Sequence, residues 1–148
     1  MSSDWQSINS VEISPNLLDW LQNPSSLTAR LKSHSKDFRV QVLGQTLAIC
    51  DDAEATEDIP AGEAILIREV VLWCDNTPQV FARSILPISS LTGEQQALGN
   101  LGEQPLGQVL FNHPDLQRKC IEIARFKEQS SLRKLCQHLS LPITLDLY

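Results

Sequence analysis

The sequence has no apolar run long enough to cross a bilayer. Its longest, Ala64 to Ile67 and Val70 to Trp73, fall far short of the roughly 20 residues that a spanning helix needs. The first residues, Met1-Ser2-Ser3-Asp4, lack the basic and apolar stretches of a signal peptide, so a cytoplasmic protein is expected. Basic residues are also scarce. Twelve Lys and Arg stand against 18 Asp and Glu, for a net charge of −6 and a pI near 4.9. Nonspecific nucleic-acid binding needs a basic face to replace phosphate counterions, so no nucleic-acid partner is expected. An anionic ligand would need a local pocket, because the overall field repels it.

Metal and redox motifs are missing too. Cys50, Cys74, Cys120 and Cys136 form no Cys-x-x-Cys pair, and His34, His113 and His138 form no His-x-x-x-His or His-Glu pattern. The four thiols read as reduced small hydrophobes and the histidines as surface residues; no metal or organic cofactor is required. The acidic stretch Asp51 to Asp58 lacks the glycine and ligand spacing of a calcium loop and reads as a solvated loop.

What is present is an ordinary globular balance. The 148 residues are 42% hydrophobic and 20% charged, enough to bury a core without a staple. Length and composition predict a single domain over 1–148, and nothing in them calls for more than a monomer. Ser14-Pro15 reads as a helix start, with Leu17, Leu18 and Leu21 following. Ser25 or Ser26 caps a second helix carrying Leu27 and Leu31. Phe38, Val40 and Val42 alternate as a strand, Gly44-Gln45 reads as a turn, and Leu47 and Ile49 alternate again. The strongest hairpin runs from Ala64 to Pro87 and turns at Asp75-Asn76. Thr92 is read as the cap of a short helix around Glu94 to Leu98. Gly99, Gly102 and Pro105 mark a bent connection, and Leu106 to Phe111 a further short helix. Arg118 to Phe126 reads as a strand, Ser130 or Ser131 as the cap of a last helix with Leu132, Leu135, Cys136 and Leu139 on one face, and Ile143 to Tyr148 as the start of another strand. The sum is α+β: an antiparallel sheet with short helices packed on it.

One residue breaks the pattern. In the strand from Ala64 to Cys74 one face carries Ala64, Leu66, Arg68, Val70, Leu72 and Cys74; the other carries Ile65, Ile67, Glu69, Val71 and Trp73. Both faces are apolar apart from one charge each, which predicts a strand covered on both sides. Arg68 then sits in a greasy face, and a guanidinium cannot shed its charge. It needs an anion, either internal or a ligand carboxylate that matches the guanidinium fork. The register of the hairpin bears on the choice. With a two-residue turn Arg83 falls opposite Arg68, leaving two arginines that call for an anionic ligand. With a three-residue turn it falls opposite Glu69 in a structural ion pair.

Several stretches together resemble the chorismate lyase (chorismate–pyruvate lyase) family: Arg68-Glu69-Val70-Val71-Leu72, Phe81-Ala82-Arg83-Ser84, Leu101-Gly102, Pro105-Leu106-Gly107 and Leu110-Phe111, with Leu18-Asp19-Trp20-Leu21 and Ser25-Ser26-Leu27-Thr28 upstream. The resemblance covers roughly residues 15 to 125, in order and with similar spacing. It implies an antiparallel sheet with helices on it and a buried, closed site. It also implies conversion of chorismate to 4-hydroxybenzoate and pyruvate on the way to ubiquinone, without a cofactor. It further implies that Arg68 holds the ring carboxylate as the catalytic residue, that Leu106 lies at the site through its backbone, and that Leu27 touches the substrate or product where the family often has methionine.

The family's late-strand glutamate has no secure counterpart. Asp146 and His138 are two candidates. The third and favoured expectation is that the chain stops before the hairpin that carries it, leaving a domain without the family's final hairpin. That gap keeps open an alternative: a non-catalytic sensor module of the same fold that binds a small carboxylate.

Overall fold

The computed structural model describes residues 5–126 and 131–140. Two compact units are present: Asn23–Leu116 form one, and the two terminal segments, up to Gln22 and from Gln117 onward, form the other. The fold is α+β, with antiparallel sheets and short helices. Among the described residues no helix is long and apolar enough to cross a membrane.

In the terminal unit, β1 (Gln6–Ser7) pairs antiparallel with β5 (Glu122–Ile123). Of the strand expected over Arg118 to Phe126, Glu122–Ile123 pair with β1 and Phe126 makes a further bridge. The helix α1 (Pro15–Gln22) starts where Ser14 and Pro15 predict: the Ser14 hydroxyl accepts the Leu17 N–H at 3.3 Å. The last described helix, α4 (Ser131–His138), ends on an exposed His138. Ser130 and the strand expected from Ile143, with Asp146, lie outside the described residues.

The central unit is organised by a three-stranded sheet ordered β2 (Phe38–Ile49), β3 (Ala64–Cys74), β4 (Thr77–Pro87). As the middle strand β3 is covered on both faces: Leu66, Arg68, Val70 and Leu72 are buried on one, Ile65 and Val71 on the other. The turn is Asp75-Asn76, at φ +49° and +64°. That is the left-handed geometry a two-residue hairpin wants, and Asp and Asn tolerate it better than other side chains. Asp75 also accepts the backbone N–H groups of Lys36 and Asp37 through Oδ1, each at 2.9 Å, tying the turn to the start of β2. Asp75→Ala is expected to cost about 1–2 kcal/mol, from the left-handed backbone and the lost acceptor. A lower urea midpoint with unchanged slope is the expected readout, and Asp75→Asn should recover most of it.

Two bulges set the register. Gly44-Gln45 is not a turn: β2 runs unbroken through it, with Leu43 as an extra residue between the pairs Val42–Val70 and Gly44–Glu69. On the other side the turn has two residues, yet Arg83 faces Glu69 rather than Arg68. Gln79 is the extra residue, between the pairs Trp73–Pro78 and Leu72–Val80. Pro78 has no N–H to give the ladder, and β4 is an edge strand, where a proline beside a bulge is tolerated.

Two helices sit beside this sheet: α2 (Leu27–Ser33), capped by Ser26 accepting the Ala29 N–H, and α3 (Leu106–Phe111). The expected helix around Glu94 to Leu98 is a 3₁₀ segment over Gly93–Asn100, and Thr92 makes no side-chain cap. It lies against β3: a methyl on Gly99 would meet Leu66 at 3.9 Å. The thiols divide. Cys50 and Cys74 are buried as small hydrophobes, while Cys120 is exposed and Cys136 half-buried, so the apolar reading holds for only part of the set. Burial and the surrounding Asp51, Glu54, Asp52 and Glu63 push the Cys50 thiol pKa up. Of the histidines, His34 and His138 are exposed and His113 is half-buried.

Candidate functional site

Arg68 is 2% exposed, which makes it one of the most buried side chains in the chain. Its partners are all neutral oxygens. Nη1 donates to Gln45 Oε1 at 3.1 Å, and Nη2 donates to the Gly102 carbonyl at 2.7 Å and the Gln104 carbonyl at 3.1 Å. No described carboxylate pairs with it. Burial alone lowers the guanidinium pKa from its ordinary value, as expected where nothing of opposite charge offsets the lost water.

The internal anions are used elsewhere. Arg83 donates to Glu54 through Nε at 2.6 Å and Nη2 at 2.9 Å, and to Glu69 through Nη1 at 2.6 Å. The hydrogen bond to Glu54 leads in pushing the Arg83 pKa up. All three side chains are about a third exposed, so each link is worth roughly 1 kcal/mol or less. Its use is positional: it pins the solvated acidic loop, through Glu54, to the sheet face that Arg68 does not share. The Glu69–Arg83 pair was one of the two registers open in the sequence. The part of Glu54 was not legible there, because a loop residue 29 positions away carries no periodic signal.

The surroundings of Arg68 come from two segments. The first is β2. Before the bulge, Val40 and Val42 pair with Leu72 and Val70 on Arg68's face; after it, Gln45 and Leu47 pair with Arg68 and Leu66. An unbroken ladder would set Gly44 opposite Arg68 and turn Gln45 to the other face. The second is the connection from Leu101 to Pro105. Leu101 is buried, and Gly102 adopts φ +55°, a conformation suited to glycine that aims its carbonyl at the guanidinium. Two residues beyond the Gln104 carbonyl the chain enters α3 at Leu106.

The structure therefore brings Arg68 and the segment leading to Leu106 together. Leu27 joins at one remove. It opens α2, which touches α3 where Thr28 Oγ1 lies 3.7 Å from the Cβ position of Gly107, and where Lys32 Nζ donates to Gln108 at 3.1 Å. Leu106 is half-buried, whereas Leu27 is 39% exposed, so Leu27 is not a core residue of α2. His138 belongs to the terminal unit, and Asp146 lies outside the described residues. Sequence reasoning missed Gln45 and the Gly102 and Gln104 carbonyls. The carbonyls had no side-chain signal to read; Gln45 could have been found only by anticipating the bulge. A cleft of about 560 Å³ also opens in the terminal unit, beside Asn9, Gln22, Arg118, Lys119 and Cys120, and shares no residue with these surroundings.

Chemically, a buried guanidinium balanced only by neutral oxygens, on an apolar sheet face, offers a positive charge that one small anion could offset. The chain belongs to the chorismate lyase family, whose model matches residues 2–141. It is 43% identical over 144 residues to the "Probable chorismate pyruvate-lyase" of Pseudoalteromonas translucida (strain TAC 125), covering 96% of this chain and 79% of that protein. It is 38% identical over 135 residues to the protein of the same name from Psychromonas ingrahamii (strain DSM 17664 / CCUG 51855 / 37), covering 91% and 73%. The counterpart from Shewanella sp. (strain MR-4) is 37% identical over 132 residues, covering 89% and 67%.

Proposed function

We propose that this chain converts chorismate to 4-hydroxybenzoate and pyruvate, with Arg68 holding the ring carboxylate. Membership of the family supports the reaction. The observation that carries the residue assignment is the guanidinium at 2% exposure with no carboxylate of the described residues beside it. A buried cation without a counter-ion is costly, and a ligand carboxylate supplies the missing charge.

The chemistry asks for few catalytic groups. The C–O bond to the enolpyruvyl side chain breaks, the ring loses one proton, and the departing fragment takes up a proton to become pyruvate. Aromatisation of the ring supplies the driving force. The protein has to hold the diene, neutralise its carboxylate and exclude water, which are effects of orientation and electrostatic preorganisation. Arg68 takes the electrostatic role. Leu27 and Leu106 form apolar wall, and in this reading the ligand covers the exposed Leu27. The product keeps the same carboxylate on a flat ring, so it binds well and leaves slowly. The protein acts as a cytoplasmic monomer in ubiquinone formation, and its buried free thiols suit a reducing compartment.

The test is to incubate the protein with chorismate and follow pyruvate and 4-hydroxybenzoate together. They are expected in equal amounts, with turnover slowed by added 4-hydroxybenzoate. The reaction is redox-neutral and needs no Lewis acid, so dialysis against a chelator should leave the rate unchanged; loss of activity restored by one divalent ion would overturn that mechanism. Tight binding of 4-hydroxybenzoate with no pyruvate release would instead identify a sensor.

A further inference from the structure

We infer that Gln45 is a positioning residue for Arg68. It sets the plane of the guanidinium for the incoming carboxylate and fastens the 3₁₀ segment Gly93–Asn100 beside the site. The inference rests on Arg68 being the carboxylate receptor.

The geometry is unambiguous about which way the amide points. Arg68 can only donate and the Gly99 carbonyl can only accept. Gln45 therefore turns Oε1 to Arg68 Nη1 at 3.1 Å and Nε2 to the Gly99 carbonyl at 2.6 Å. One side chain thus ties the middle strand, through its charged residue, to the segment that lies against Leu66. The arrangement depends on Leu43, since only the bulge there places Gln45 on Arg68's face. Bulges beside functional sites commonly re-aim a side chain in this way.

The donor count shows what the positioning achieves. Both Nη2 hydrogens are taken by the Gly102 and Gln104 carbonyls, and one Nη1 hydrogen by Gln45. The Nε–H and the second Nη1–H have no described partner and lie on different edges of the group, so each can meet a ligand oxygen singly. Gly102 and Gln104 hold one end of the guanidinium; Gln45 holds the other and stops it swinging about its long axis. Without Gln45 the charge remains but the direction of the free N–H groups does not.

The test uses Gln45→Met, which keeps the bulk and removes both bonds, and Gln45→Asn, whose shorter amide cannot span Arg68 and Gly99 together. Gln45 is exposed, so neither change empties a core. Titrations compare 4-hydroxybenzoate with its neutral relative 4-hydroxybenzamide. Both variants are expected to lose roughly 10- to 100-fold in affinity for the carboxylate, as a displaced positioning group does, while the amide binds as in the wild type. Equal loss for both ligands, or an undiminished carboxylate affinity, would overturn the positioning role while leaving Arg68 as the receptor. Failure of the wild type to prefer the carboxylate over the amide would overturn the receptor reading, and this inference with it.

Discussion

Arg68→Met is expected to abolish measurable binding of 4-hydroxybenzoate while leaving the protein as stable as the wild type, or more so. The two halves have separate causes. Removing one partner of a buried charge-assisted pair costs on the order of 2–5 kcal/mol, or about 30-fold to several thousand-fold in affinity. In the free protein the same charge is a burden. It is buried at 2% exposure, its pKa is lowered by that burial, and its partners are neutral. Exchanging an ill-compensated buried charge for an apolar side chain of similar volume is often neutral or stabilising. Methionine fits among Leu66, Val70 and Leu72, and the oxygens it abandons belong to Gln45, Gly102 and Gln104, all exposed residues that water can reach. Calorimetric titration and thermal unfolding check the two halves. Unchanged affinity would refute the assignment, and a large drop in melting temperature would make Arg68 a structural residue.

The sign of the pKa shift sets the pH behaviour. A cation whose folded pKa lies below its unfolded one costs stability at every pH below the folded value. That window covers the whole working range, so Arg68 contributes no slope to stability near neutrality. Its partners are an amide and two backbone carbonyls, which do not titrate. Carboxylate affinity should therefore be flat from roughly pH 6 to 8, well above ordinary carboxylate values and below arginine's.

A second large effect is expected on the opposite face of the same strand. Ile65 is fully buried, at 0% exposure, and Val71 nearly so at 1%. Ile65→Ala removes three carbons from a site with no solvent to refill it, and such truncations cost roughly 2–5 kcal/mol. For a chain of this size each kcal/mol moves the melting temperature by about 2–4 °C, so a fall of some 5–20 °C is expected. Below the transition, affinity for 4-hydroxybenzoate should stay close to wild type, because Ile65 points away from Arg68. A melting temperature within 2 °C of wild type would show that this face is not part of the core. Together the two variants test whether binding and core packing are divided between Arg68 on one face of β3 and Ile65 on the other.

Local chemistry in the sequence determined much of this. Ser14-Pro15 and Ser26 start α1 and α2, because a hydroxyl one residue before a helix satisfies N–H groups that nothing else reaches. Asp75-Asn76 makes the hairpin turn, because these two residues tolerate positive φ side by side. The doubly apolar run around Arg68 marked a strand buried on both faces and one charge that needed an explanation. The residue stretches from Leu18 to Phe111 also carried the family. What only the tertiary structure decided is how the strands meet. The extra residues Leu43 and Gln79 shift two registers by one position, and in a pleated strand one position exchanges the faces. These shifts gave Arg83 to Glu69 instead of setting it opposite Arg68, and brought Gln45 beside Arg68. No pattern of period two announces a bulge, since the alternation on either side of it is locally intact. The Gly102 and Gln104 carbonyls were beyond sequence for a simpler reason: every residue has a carbonyl, and only the folded path of the chain chooses which ones face the guanidinium.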